Sequence, residues 1–288
     1  MALKKILVPL TGADTDGIAL TGAFAAARPF NGHVQALFVY PDPREAVPFV
    51  GMPVAPEVVQ QIIDNAESVA RLARKAARGN LEAAAKDAGV AVLAAPAAKS
   101  AVTCSFRDVQ GGFLSRIGEA ARLCDLVVFG PSTLEGGPDI SSAFIETLTE
   151  SERPVLLAPH APVTDLTGKA AIGWDGSAAA AHALSAALPL LARARAVELY
   201  SIRPPPLEAG SLDEAIEYLA LHGIAATARI IDPAGAAPGA VLLSEAEKAG
   251  ASFLVLGGYG HSRLLETLFG GTTVHVTAHA TLPLFMVH

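Results

Sequence analysis

The chain has 288 residues, of which 51% are hydrophobic and 17% are charged, a composition that predicts a folded protein able to bury its own core. Its net charge is −7 and it has no block rich in lysine and arginine, which argues against a general nucleic-acid binder. No apolar stretch reaches the about 18–20 residues of a membrane span, so no membrane partner is expected.

The cysteines and the amino-terminal segment indicate the compartment. Cys104 and Cys124 form no CxxC pair and have no histidine at metal-ligand spacing, which argues against a disulfide framework and a zinc site. The first apolar run, in MALKKILVPL, stops at Thr11, too soon for an export signal. We therefore expect a cytoplasmic protein without a protein-built metal site.

Short runs rich in valine, isoleucine and leucine predict strands, and they alternate with helical segments along the whole chain. In the first half the predicted strands are Leu3–Leu10, Val34–Tyr40, Leu123–Gly130 and Pro154–Pro159. In the second half they are Lys169–Trp174, Ala196–Ile202, Thr227–Asp232, Ser252–Gly257 and Pro283–Val287. Runs that are apolar on both faces and alternate with helices predict parallel sheets covered by helices on both faces.

The order of these elements repeats, which indicates two like domains. Gly130 and Gly257 end matching strands 127 positions apart, whereas Thr11 and Asp175 end matching strands 164 positions apart. The difference predicts a helical insertion near residues 41–89, with a long helix over Glu57–Gly79 and another helical turn after it. We expect modules at residues 1–160 and 169–288. The fold class is α/β, with two tandem doubly wound parallel five-stranded sheets.

The segment from Leu256 to Thr273, LGGYGHSRLLETLFGGTT, carries the clearest functional signal. It places the pattern Gly257-x2-Gly260-x9-Gly270 between a buried strand and the last helix. Glycines at such a turn let the backbone approach a phosphate, to which amide groups and the helix terminus present positive potential. Arg263 follows Gly260 closely, and its guanidinium is a candidate to pair with a phosphate.

At this motif the sequence resembles the universal stress proteins, over nearly the whole chain and as two tandem modules. Nucleotide-binding members of that family carry G-x2-G-x9-G-(S/T) before the last helix and an aspartate at the end of the first strand. The segment Ile172–Ser177, IGWDGS, matches that strand ending. Gly271 departs from the pattern, because the family most often has serine or threonine there, whereas Thr273 matches a second hydroxyl position.

The resemblance implies an adenine nucleotide alpha hydrolase-like fold and a bound adenine nucleotide, ATP with or without Mg²⁺. By that resemblance Asp175 and the backbone at Ile202 face the nucleoside. The residues implied at the phosphates are Gly257, Gly260, Gly270, Gly271 and Thr273. Whether the nucleotide is ATP, ADP or AMP stays open at this stage.

The first half lacks the features of this site. Thr11 stands where the second half has Asp175, and Pro131 removes an amide donor from the loop after Gly130. Glu135 and Asp139 add negative charge that repels phosphate. We therefore expect a degenerate first site and one nucleotide per chain.

Three functions remain open from the sequence. The first is a nucleotide-dependent regulatory or binding protein of the stress response. The second is a slow ATPase or phosphotransferase, and the third is an interaction scaffold that binds no nucleotide. No general base or carboxylate pair for Mg²⁺ adjoins the glycine loop, so no catalytic residue is assigned and any turnover is expected to be very slow.

The resemblance also implies how the modules associate. Universal stress proteins commonly dimerise through their last strands, so Pro154–Pro159 and Pro283–Val287 are expected to pair within the chain as an intramolecular pseudo-dimer. This pairing would hide an apolar sheet edge. A homodimer and an unknown protein partner are left open.

Overall fold

The computed structural model describes residues 2–48, 55–97, 99–131, 140–203, 210–258 and 271–288. In the first half the strands are β1 Lys5–Leu10, β2 His33–Tyr40, β3 Ala91–Leu93, β4 Thr103–Gln110, β5 Leu126–Phe129 and β6 Val155–Leu157. The helices there are α1 Asp16–Ala27, α2 Pro56–Ala88, α3 Phe113–Ala121 and α4 Ile140–Thr149, with short 3-10 helices at Arg28–Phe30 and Pro43–Ala46.

The second half continues the alternation of strands and helices. Its strands are β7 Lys169–Gly173, β8 Ala196–Ile202, β9 Ala226–Ile231, β10 Ala251–Gly257 and β11 Leu284–Val287. Its helices are α5 Ala178–Leu191, α6 Gly210–Leu221, α7 Pro238–Lys248 and α8 Gly271–His279. The predicted α/β class, a mostly parallel sheet with helices on both sides, is confirmed.

All strands of the described residues lie in one sheet of eleven, in the order β3-β4-β2-β1-β5-β6-β11-β10-β7-β8-β9. The expected pairing of the last strands is confirmed, because β6 and β11 lie antiparallel with Leu156 opposite Phe285. Both side chains are fully buried. The two expected sheets are therefore halves of one sheet, and the first half contributes six strands where five were expected.

Two features of the first half differ from the sequence prediction. β4 was not predicted because its buried positions include Thr103 and Ser105, which an apolar pattern does not detect. Both hydroxyls contact the ring of buried His33, with Nδ1 2.8 Å from Thr103 Oγ1 and Nε2 2.8 Å from Ser105 Oγ. Burial lowers the pKa of His33, which favours the neutral ring in this contact.

The long helix of the insertion was expected over Glu57–Gly79, but α2 continues to Ala88. A glycine inside a helix costs only about 1 kcal/mol relative to alanine, so Gly79 does not end it. The helix ends ten residues later at Gly89, which has φ +65° and donates its N–H to the carbonyls of Ala85 and Lys86.

The helices divide between two faces of the sheet. Leu20 of α1, Leu81 of α2, Leu184 of α5 and Leu219 of α6 belong to one buried cluster. Helices α3, α4, α7 and α8 bury residues in a second cluster on the other face; these include Ile117, Leu148, Leu242 and Val276. Each half thus sends the helices after its first and second strands to the same face, as a duplicated unit would.

Close packing at two glycine positions shows the same repeat. A Cβ at Gly130 would lie 3.2 Å from the carbonyl oxygen of Thr15, and a Cβ at Gly257 would lie 2.5 Å from the carbonyl carbon of Ala179. Thr15 and Ala179 are separated by the 164 positions that also separate Thr11 from Asp175. The strand end and the following helix therefore pack alike in both halves.

No helix of the described residues is both long and apolar enough to cross a membrane.

We expect Gly12→Ala to lower the free energy of unfolding by about 2 kcal/mol or more, because Gly12 has φ +89° and a Cβ there would lie 2.6 Å from the carbonyl oxygen of Ala73. The matched control is Gly17→Ala in α1, where a Cβ would meet nothing within 4 Å. It is expected to stabilise the protein by about 0.5–1 kcal/mol. Urea unfolding measures both, and equal stabilities would contradict the packing of α2 on the turn after β1.

Candidate functional site

The carboxyl ends of β7 and β10 form the point where the connections of the second half change sides. The two strands are neighbours, with Ile172 opposite Val255. The chain leaves β7 through α5 on one face of the sheet and leaves β10 towards α8 on the other. In open α/β sheets, ligands bind in the crevice that such a switch point opens. We call the carboxyl ends of β7, β8 and β10 the switch-point edge.

Asp175 lies at this edge, two residues after β7. Its Oδ1 accepts a hydrogen bond from the amide of Ser177 at 2.9 Å, across a turn in which Gly176 has φ +77°. The Ser177 side chain then caps α5 by accepting from the amide of Ala180 at 3.1 Å. Asp175 is exposed, and its Oδ2 has no hydrogen bond to any other described residue. One carboxylate oxygen thus fixes the turn and the other faces solvent.

Gly257 ends β10 on the other side of the switch point. The 2.5 Å approach to Ala179 leaves no room for a Cβ, so packing against the first turn of α5 requires glycine here. The next residue, Gly258, donates its N–H to the carbonyl of Val287 at 2.7 Å, which ties the start of the loop to β11. This packing holds β10 against the helix that follows Asp175.

Ile202 ends β8, on the side of β7 away from β10, and is half-buried. Asp175, Ile202 and Gly257 are therefore brought to one edge, as their sequence positions predicted. Gly260, Arg263 and Gly270 lie outside the described residues. Gly271 and Thr273 belong to the first turn of α8, which begins at the same edge because it connects two parallel strands.

Two further residues near this edge were not predicted from the sequence. The indole Nε1 of Trp174 and the Nε and Nη2 of Arg203 are buried and have no hydrogen-bond partner in the described part of the chain. The register places Gly173 opposite Tyr200, so Trp174 and Arg203 lie on the same face of the sheet, at the ends of β7 and β8. Buried donors of this kind are costly unless an acceptor reaches them.

A sequence signal for one of these residues does exist. Arg203 directly follows an apolar strand and precedes three prolines, so a cation is fixed at a strand end. Its burial could not be inferred, because arginine at a strand end is ordinarily solvated.

The equivalent edge of the first half is filled by protein groups. Asp16, which is 4% exposed, accepts hydrogen bonds from the amides of Thr11 and Gly12 at 3.0 and 2.8 Å and from the Thr11 hydroxyl at 3.1 Å. Asn80 of α2 contacts the same carboxylate and donates to the carbonyl of Ala13 at 2.8 Å. Burial raises the pKa of Asp16, and this effect outweighs the hydrogen bonds that lower it.

The second half differs at the residue that fills this turn. Ala180 stands 164 positions after Asp16, so no carboxylate from α5 enters the turn at Asp175. In the first half the long helix α2 packs on this turn, whereas in the second half the short helix α6 does. Ser211 Oγ of α6 lies 3.1 Å from the position that a Cβ of Gly176 would take. The described residues contain no group of three or more histidine, cysteine or acidic side chains that could hold a metal ion.

Comparison with known proteins gives a family match for the second half of the chain. The family model described as "Universal stress protein family" matches residues 168–288. No curated protein matches the chain.

Solved structures share the fold. A universal stress protein from Archaeoglobus fulgidus is 16% identical, with a TM-score of 0.65 over 98% of this chain and 95% of that one. A protein of unknown function from Pseudomonas aeruginosa PAO1 is 16% identical, with a TM-score of 0.56 over 99% and 92%. A universal stress protein in complex with cAMP is 23% identical over 42% of this chain and 96% of that one, with a TM-score of 0.37. Residues 168–288 thus match the universal stress protein family, and the chain as a whole shares the fold of the first two of these structures.

Proposed function

We propose that the protein binds an adenine nucleotide, ATP in the first place, at the switch-point edge of the second module, and acts as a nucleotide-dependent regulatory or binding protein in stress response. The observation that carries the proposal is the meeting of Asp175, Ile202 and Gly257 at the edge between β7 and β10. Such an edge is the usual ligand site of this type of sheet. We propose module boundaries at residues 1–160 and 169–288.

At the nucleoside end, the exposed Oδ2 of Asp175 is available to a ribose hydroxyl or the base, while Oδ1 keeps the turn in place. Trp174 and Arg203 offer buried N–H donors without acceptors among the described residues. The adenine nitrogens N1, N3 and N7 and the phosphate oxygens accept hydrogen bonds, so a bound nucleotide is the kind of ligand that would satisfy such donors.

At the phosphate end, the proposal rests on the glycine pattern and on the start of α8. The proposed phosphate ligands are the backbone amides at Gly257, Gly260, Gly270 and Gly271, with the Thr273 hydroxyl and the Arg263 guanidinium. A helix that begins at this edge presents its positive terminus to an anion. Mg²⁺, if bound, would take phosphate oxygens and water as its main ligands, and Asp175 is a carboxylate at this edge.

The first half supports a count of one nucleotide per chain. Asp16 occupies the turn after β1 with a carboxylate, and the packing of α2 against Gly12 and Ala13 covers that turn. We propose that this module has a scaffolding role and forms an intramolecular pseudo-dimer with the second through β6 and β11.

We expect calorimetry to find one ATP per chain and Gly260→Val to abolish binding while the fold is kept. The valine side chain would occupy the space in which a phosphate must come within about 2.7–3.2 Å of the backbone. The matched control is Thr11→Ala at the first-half edge, which is expected to bind ATP like the parent. Circular dichroism checks that both variants are folded, and parental ATP binding by Gly260→Val would favour the scaffold alternative.

We expect Asp175→Ala to weaken ATP binding by about 1–3 kcal/mol, or about 5- to 150-fold, through loss of a charged hydrogen bond. Asp232→Ala is the control, because Asp232 also follows a strand and its Oδ1 accepts from the amide of Ala234 at 2.8 Å, but at the outer strand β9. It removes the same kind of turn hydrogen bond and is expected to leave the dissociation constant unchanged. If both variants lost the same affinity for ATP, the Asp175 carboxylate would have no specific role in binding.

We expect Arg203→Met to weaken ATP binding about tenfold or more while leaving the ligand-free protein as stable as the parent or more stable, because it removes two buried N–H groups, Nε and Nη2, that have no described partner. Arg193→Met, at an exposed arginine near Phe30, is the control and should change neither quantity strongly. Calorimetry and urea unfolding measure the two effects. A loss of ligand-free stability with unchanged affinity would assign Arg203 a purely structural role.

A further inference from the structure

Helix α2 extends far beyond the part of it that packs on the sheet. It has 33 residues, which corresponds to about 50 Å, whereas α6 follows the matching strand of the second half with 12 residues. The buried residues of α2, which is described throughout, are Ala77, Leu81, Ala84 and Ala85. The amino-terminal part of the helix therefore contributes no fully buried side chain to the core.

A second stripe of small and apolar residues runs along α2 on a different side from these buried residues. We call it the outer stripe; its members are Val58, Ile62, Asn65, Val69, Leu72, Ala76, Gly79 and Ala83. Successive members are four and three residues apart in strict alternation, which is the spacing of a coiled-coil seam. Val58, Val69 and Leu72 are 45%, 59% and 64% exposed, and Ile62 is half-buried. Within the described part of the chain, most of this seam is therefore exposed along the helix.

The sizes of the side chains along the outer stripe change in one direction. Its amino-terminal end is bulky, with Val58 and Ile62, and its carboxyl-terminal end is small, with Gly79 and Ala83. A Cβ at Gly79 would meet nothing within 4 Å, so a neighbouring side chain has room to approach this end. A partner helix that packs well on the stripe must place large side chains opposite Gly79 and Ala83 and small side chains opposite Val58 and Ile62.

A second copy of α2 has this property, and we propose that the protein forms a homodimer through antiparallel pairing of the outer stripes. In an antiparallel coiled coil, an a position of one helix lies opposite a d position of the other. In this pairing a bulky residue therefore lies opposite a small one at both ends of the stripe. The layers formed between one copy and the other are Val58 with Ala83, Ile62 with Gly79, Asn65 with Ala76, and Val69 with Leu72.

The charges on α2 are compatible with the same orientation. Arg74 pairs with Asp108 and Arg78 lies over the ring of Phe106, so both are engaged within the chain. Antiparallel pairing sets Asp64 and Glu67 of one copy at the level of Lys75 of the other, whereas parallel pairing sets each carboxylate at the level of its own counterpart. The pairing has two-fold symmetry and therefore closes as a dimer.

Sedimentation equilibrium at micromolar concentration tests this proposal on the full-length chain. We expect a mass of about twice 29.5 kDa for the parent and of one chain for Leu72→Glu, which buries a carboxylate against Val69 of the other copy. The matched control is Leu123→Glu, an 82% exposed leucine outside α2, which is expected to remain dimeric. Circular dichroism checks the helix content of each variant.

A mixing experiment tests the register. Val69→Lys alone is also expected to be monomeric, whereas an equimolar mixture of Val69→Lys with Leu72→Glu is expected to form a heterodimer. In that heterodimer one layer pairs Lys with Glu and its symmetry mate keeps Val69 with Leu72. A monomeric parent, a dimeric Leu72→Glu, or a mixture that stays monomeric would each overturn the proposed pairing.

Discussion

The antiparallel pairing of β6 with β11 is the interaction on which the arrangement of the molecule depends. Leu156 and Phe285 are fully buried there, so separation of the strands would expose apolar side chains and unpaired backbone groups at two sheet edges. The pairing also fixes directions. Because β6 and β11 run antiparallel, all strands of the first half run opposite to those of the second half, and the carboxyl ends of the two halves lie at opposite ends of the sheet.

The carboxyl-terminal edges of the two halves have the same topology but lie apart, and they differ in the residues at the turn after the first strand. In the first half a buried carboxylate, Asp16, ties down the turn after β1, and α2 packs over it. In the second half Ala180 replaces that carboxylate, and Asp175 keeps one oxygen exposed at the turn after β7. The difference of one side chain in the helix after the first strand thus separates a turn that a buried carboxylate fills from one that receives no such carboxylate.

The length of α2 is a second difference between the two halves. A helix that only needed to cover the sheet could be as short as α6, and the additional turns carry an exposed seam instead of core residues. Since this seam lies in the first half, its pairing with a second copy would leave the switch-point edge of the second half accessible.

The sequence by itself determined the strand and helix alternation and the duplication, because buried parallel strands are continuous apolar runs and a repeat preserves its order. The pairing of the last strands and the candidate site residues Asp175, Ile202 and Gly257 followed from the resemblance to a known family. The sequence did not reveal β4, whose polar residues Thr103 and Ser105 are satisfied by His33 from another strand.

Only the tertiary structure decided which polar side chains are buried and what they meet. Asp16 and Arg203 look like ordinary solvated charges in the sequence, yet one satisfies the turn of the first half and the other is buried near the switch-point edge of the second. Burial depends on which helix packs over a strand end, and residues far apart in the chain fix that packing. A local sequence pattern does not specify those contacts, so the burial and the partners of the charged side chains at each edge were known only from the folded chain.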